Sequence, residues 1–217
     1  MEIHESLYKN YYKTQASRYS APGAESETHR AQHYKKEIGP LLSKNKDIKI
    51  LEIGCGQGFL ISFLQANGYK NIIGYDLSEE QVNRGVKSGI TCIKKGDFLD
   101  HLKTGAVKYD LIIGLDVIEH LKKNELLDLL RSSYASLSAN GKVLFRTPNG
   151  DAPFGSTYYY GDFTHHLVLN SFSAEQILLN AGFTDISVSP SIIFTKGFIK
   201  EYCRKALWIL VKVLSKV

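Results

Sequence analysis

Three glycines fall within five residues in the string Leu51-Glu52-Ile53-Gly54-Cys55-Gly56-Gln57-Gly58. Gly54, Gly56 and Gly58 would let the backbone turn sharply and lie close against a ligand. A helix starting near Phe59 would aim its free N–H groups at the same place. A dinucleotide fingerprint needs its third glycine at position 59, where Phe59 stands, and no Gly-Lys-Ser/Thr follows for a phosphate loop. Asp76 can accept hydrogen bonds from both hydroxyls of a ribose and would repel a 2′-phosphate. Asp97 can read an exocyclic amino group, and Phe98 can cover an aromatic base. Two further clusters carry proton chemistry: Asp116-Val117-Ile118-Glu119-His120, and Gly161-Asp162-Phe163-Thr164-His165-His166. A histidine there could act as general base toward a hydroxyl. Two carboxylates with histidines could instead hold a divalent ion. Of the adjacent pair His165 and His166, only one can face a cleft.

These residues need elements to position them, and the chain supplies strands alternating with helices. Short apolar strands are predicted at 48–54, 71–77, 91–97, 109–116, 142–149 and 183–190. Helices are predicted at 27–42, from 58 to a stop at Gly68, after an N-cap at Ser78, from 121 to Asn140-Gly141, and from Ser171 to Ala181. Alternation of this kind implies βαβ units, right-handed crossovers and an α/β, Rossmann-like, doubly wound, mainly parallel sheet. Ligands bind such sheets at the carboxyl ends of the strands, and each residue singled out above follows a strand. Three segments are expected: a polar, tyrosine-rich cap over 1–46 (Tyr8, Tyr11, Tyr12, Tyr19), a core over 47–195, and a basic amphipathic helix over 196–217. Part of a seventh strand could come from Ser191–Gly197.

The motif at 52–58, Asp76, Asp97-Phe98 and the strand 109–116 leading into Glu119-His120 together resemble the class I S-adenosylmethionine (SAM)-dependent methyltransferases. The resemblance spans about 48–190. It implies a SAM site built from Glu52, Gly54, Cys55, Gly56, Gly58, Asp76, Leu77, Asp97, Phe98 and Asp116, with S-adenosylhomocysteine as product. On the acceptor side the expected catalytic residues are His165 as general base, flanked by His120 and Glu119. The D-x-x-E-H string is similar to quinone-biosynthesis O-methyltransferases and to the E-x-x-E-H of small-RNA 2′-O-methyltransferases, both of which use a metal. A divalent metal is therefore an alternative, not the favoured reading, and no metal ligands are assigned. Thr147-Pro148-Asn149, Asp162-x-Thr164-His165 and Ala181-Gly182-Phe183 resemble O-methyltransferases of bacterial polysaccharide clusters. That implies a sugar or glycan-precursor acceptor, with loop 149–166 and its Phe154, Tyr158, Tyr159, Tyr160 and Phe163 setting specificity.

The 217 residues, 43% apolar and 23% charged, suit a single globular unit and exclude disorder and coiled coil. The net charge is +5. Six cations against one acid in residues 196–217 account for all of it, leaving 21 of each sign in residues 1–195. A neutral body argues against nucleic acid as partner. The tail suits a membrane surface, or packing against the sheet or a partner. Three cysteines without a C-x-x-C fit a reducing, cytoplasmic compartment, and no secretory leader is expected from MEIHESLYKN. The sequence leaves the oligomeric state open. The competing functions are metal-assisted quinone-precursor or RNA methylation, and a non-catalytic SAM-binding regulator.

Overall fold

The computed structural model describes residues 11–15, 27–153, 155–191 and 197–215. Tyr8, Tyr19, Phe154 and most of the candidate seventh strand lie outside the described residues. In chain order the elements are α1 Tyr11–Thr14, α2 Glu27–Glu37, β1 Ile50–Ile53, α3 Phe59–Ala66, β2 Ile72–Asp76, α4 Glu79–Lys87 and β3 Ile93–Lys95. They continue with α5 Phe98–Lys103, β4 Tyr109–Leu115, α6 Lys123–Ala135, β5 Leu137–Arg146, α7 Ser156–Tyr159, α8 Ser171–Asn180 and α9 Phe198–Ser215.

The five strands form one sheet in the order β3-β2-β1-β4-β5, with every pairing parallel. This is the expected Rossmann-like, doubly wound arrangement. Side chains alternate across it, as the pleat requires. Ile50 and Ile113 enter the core layer shared with α3, whereas Leu51, Ile53 and Ile112 enter the layer shared with α6. β1 is buried at all four positions, which is why three of its four residues are large and apolar; the fourth, Glu52, is a carboxyl buried with them. The strand order reverses between β1 and β4, so a crevice opens where their carboxyl ends diverge.

Helix α2 ends at Glu37, short of the expected 42, and two further boundaries differ from the sequence reading. Helix α6 stops at Ala135 instead of Asn140-Gly141, and β5 begins at Leu137. Tyr109 pairs with Leu137, and the register then slips before Leu111 meets Lys142. Asn140, at φ 64°, forms this irregularity, and Gly141 leaves its would-be Cβ only 2.8 Å from Tyr109 O. The Asn-Gly pair thus makes a strand bulge, not a helix cap; both need the same backbone freedom. The expected strand at 183–190 is not one: that stretch is mostly exposed and carries no ladder among the described residues. No helix among the described residues is long and apolar enough to cross a membrane.

Candidate active site

The glycine loop follows β1 because the chain must leave the sheet and enter α3 within five residues. Gly54, Gly56 and Gly58 have φ of 64°, 52° and 78°. A Cβ on Gly54 would sit 2.2 Å from Val117 Cγ2, so the loops after β1 and β4 touch through a missing side chain. Asp76, at the end of β2, ties the loop down. Its Oδ2 accepts from Gly56 N–H at 2.7 Å, and its Oδ1 accepts from Ser78 N–H at 2.7 Å. Burial raises its pKa, and those two backbone bonds oppose the rise.

Beside the loop lies a cavity of about 310 Å³. Its wall includes Glu52, Gly54, Cys55, Gly56 and Gln57 from the loop region, Gln81 from α4, Asp116 after β4 and Arg146 at the end of β5. Helix α2 closes it with Arg30, His33 and Tyr34. The Arg30 guanidinium lies 3.8 Å over the Phe59 ring. Glu52 is buried, and its Oε2 has no hydrogen-bond partner among the described residues. Burial, then the nearby Asp76 charge, pushes the Glu52 carboxyl well above its ordinary range. Arg146 links three elements: it pairs with Asp116 through its Nη2 and with Glu37 Oε2 at 3.0 Å. Asp116 itself takes φ 55°.

The other expected cofactor residues are placed unevenly. Cys55 lies in the wall, but its thiol turns into the core against Gly74. Asp97 caps α5, accepting from Leu99 N–H at 2.7 Å. Phe98, expected over a base, is buried in the core layer with Leu51 and Leu102 because the first turn of α5 points it inward. Leu77 is exposed after β2.

On the acceptor side, Glu119, His120 and His165 converge. One potential ligand atom from each lies within 4.8 Å of the others. Asp116 is not in this group; its carboxylate is held by Arg146. Hydrogen bonding fixes both imidazoles. His165 Nδ1 lies 2.8 Å from the Tyr159 carbonyl, which can only accept, so Nδ1 carries the proton. His165 Nε2 then presents a lone pair, 4.0 Å from Glu119 Oε1. Thr164 Oγ1 donates to Asp162 Oδ1 at 2.6 Å and must therefore accept from His120 Nδ1 at 2.8 Å. His120 has the same tautomer. Tyr11 of α1 donates to Asp162 Oδ2 at 3.2 Å, and its ring meets His120 edge-on at 6.0 Å. His166 is exposed, and its backbone N–H bonds Glu119 O at 2.7 Å, so His165 is the histidine that turns inward.

Burial, then the Asp116 charge, pushes the Glu119 carboxyl up to about 8. Burial, then His165, lowers the pKa of His120 to about 4. Sequence reasoning missed Arg30, His33, Tyr34 and Arg146 as cavity residues, and Tyr11 as a partner of the histidine loop. Two of them left a signal: Tyr11 in the tyrosine-rich cap, and Arg146 as the cation that ends an apolar strand.

A family model described as a methyltransferase domain matches residues 26–188. The chain belongs to this methyltransferase family. The match begins just before α2, so the helix that closes the cavity lies inside it. Among relatives, a tRNA U34 carboxymethyltransferase of Sulfurimonas denitrificans is 31% identical over 169 residues, covering 74% of this chain and 48% of that protein. A ubiquinone biosynthesis O-methyltransferase of Chelativorans sp. is 26% identical over 102 residues, covering 45% of this chain and 39% of that protein. The chain thus spans about half or less of the length of the curated relatives it matches. A SAM-dependent methyltransferase from Archaeoglobus fulgidus shares the fold, with TM-score 0.65 and 21% identity, over 83% of this chain and 75% of that one.

Proposed function

We propose that this methyltransferase domain transfers a methyl group from SAM to a hydroxyl of a small polar acceptor, a sugar or glycan precursor. The cavity residues fit the donor. Glu52 offers a buried acceptor oxygen suited to an ammonium group, and Arg30 offers a guanidinium suited to a carboxylate. The glycine loop lets backbone approach between them, and Asp76 and Asp97 stand at the ends of β2 and β3 for ribose and adenine. When bound, SAM supplies a methyl group already activated on a sulfonium. The protein's remaining task is to align the acceptor and take its proton. His165 takes that proton at Nε2, the only nitrogen its bond to Tyr159 leaves basic. Glu119 and His120 flank the reacting hydroxyl.

The observation that carries the sugar reading is the exposure of the aromatic loop. Tyr158, Tyr160 and Phe163 are 79%, 79% and 84% exposed, while Thr164 beside them is buried. Rings that merely packed the loop down would be covered; these stand ready to stack on a sugar face. A cytoplasmic setting suits the three free cysteines.

A second reading has one observation in its favour. Glu119, His120 and His165 are fit to hold a divalent ion, since Thr164 and Tyr159 anchor the two rings through Nδ1. Such an ion would acidify the acceptor hydroxyl in place of a base, as a quinone precursor or a ribose 2′-hydroxyl would need. Tritiated-SAM transfer to nucleotide sugars, lipid-linked oligosaccharides, catechols and short RNAs, each with EDTA and with Mg²⁺, separates these readings. Sugar labelling that survives EDTA is the expected outcome. Labelling of RNA alone, or loss in EDTA restored by Mg²⁺, would favour the second reading. Tight SAM binding with no transfer would make the chain a regulator.

A further inference from the structure

We propose that helix α9 docks the protein on an anionic lipid bilayer, lying in the interface with its Ile199–Ile209 apolar face down. The inference does not depend on which acceptor is methylated.

The helix turns about 100° per residue. On that wheel Ile199, Tyr202, Cys203, Ala206, Leu207 and Ile209 fall within about 160° of arc. This face is not covered: Ile199, Tyr202, Leu207 and Ile209 are 77%, 69%, 62% and 64% exposed. The opposite side is the less accessible one. There Glu201 and Arg204 are partly shielded, and Trp208 is 38% exposed. A helix serving to cover the sheet would be oriented the other way round.

The charges identify the occupant. Lys200 borders one edge of the apolar arc and Lys205 the other, where their long stems can lie along the apolar surface with the ammonium groups outward. The segment's one acid, Glu201, is neutralised within the helix by Arg204, Nη2 to Oε1 at 2.6 Å, with the exposed Lys205 Nζ more loosely placed at 3.8 Å. The sequence adds Lys212 and Lys216, so the last 22 residues hold the whole +5 of the chain. Two copies would bring like charges together, and the body carries no net negative charge to attract the helix. A sheet of phosphate headgroups over hydrocarbon complements both the cations and the apolar arc.

The test is flotation of the full chain with vesicles of equimolar phosphatidylglycerol and phosphatidylcholine, and with phosphatidylcholine alone. An environment-sensitive dye on the exposed Cys203, in a Cys92→Ser background, reports insertion. Co-flotation with the anionic vesicles and a blue shift of the dye are expected, with the single tryptophan, Trp208, unshifted on the far side. Lys200→Glu with Lys205→Glu should weaken binding by roughly fivefold or more per cation. Ile199→Asp with Leu207→Asp should abolish it while circular dichroism of the body stays unchanged. Failure to float, or equal flotation on phosphatidylcholine alone, would overturn the proposal. So would a dimer in sedimentation that the aspartate pair dissolves without vesicle binding. Binding to tRNA that the glutamate pair removes and the aspartate pair spares, again without vesicle binding, would assign the cations to RNA.

Discussion

His165 and His120 each commit the Nδ1 proton to a neighbour, and that pairing, more than the histidines themselves, decides what they can do. With Nδ1–H donated to Tyr159 O, His165 keeps a basic Nε2. His165→Ala is therefore expected to lower methyl transfer by about 10²–10⁴-fold with the SAM dissociation constant unchanged, checked by tritium transfer beside calorimetric titration. Thr164 accepts from His120 Nδ1 and donates to Asp162, so Asp162 orients His120 through Thr164. Thr164→Val should cost about 1–3 kcal/mol of stability by stranding both partners, and Thr164→Ser should restore most of it in denaturant melts. Glu119 titrates in the other direction. Its folded pKa, about 8, lies above its ordinary value, so its favourable state is the protonated one. The folded protein then holds more protons than the unfolded chain between about pH 4.5 and 8, and stability falls as pH rises through that window. In EDTA, Glu119→Gln should match the parent near pH 4 and exceed it by on the order of 5 kcal/mol near pH 9. Equal melts at both pH values would show that the carboxyl is not buried as described.

At the scale of elements, the site depends on loops that meet only because side chains are missing between them. Gly54→Ala would force a Cβ into Val117 at a left-handed φ, separating the loops after β1 and β4. Loss of SAM binding, with an intact helical circular dichroism signal, is the expected outcome. The turn of the glycine loop and the places of Asp76 and Asp97 after β2 and β3 were legible in the sequence, because these are local signals with local causes. Arg30 and Tyr34 were not legible, since α2 carries no motif and reaches the cavity only through tertiary packing. Phe98 misled for a related reason: its place after β3 was right, but the first turn of α5 directs its ring into the core. The end of α6 and the strand at 183–190 failed where one signal serves two structures. Asn140-Gly141 can stop a helix or bulge a strand, and alternating residues make a strand only if a neighbour pairs with them.

For the whole molecule, the distribution of charge and aromatic surface separates the chemistry from its location. The body is balanced, with the cavity, the paired tautomers and the exposed rings of loop 149–166 at one mouth of the sheet. The surplus of cations lies in α9 and the sequence flanking it, on a helix whose apolar arc faces away from that body. An acceptor gathered by a body with no net charge would be recognised by stacking and hydrogen bonds, and its capture should vary less with salt than attachment through α9, which should weaken as salt rises. The most direct test of the central claim is tritium transfer from SAM to a panel of nucleotide sugars, by the parent chain and by His165→Ala, in EDTA. The parent should label a sugar hydroxyl, and the variant should lose about 10²-fold or more of that labelling. Label on no sugar, or equal labelling by both proteins, would contradict it.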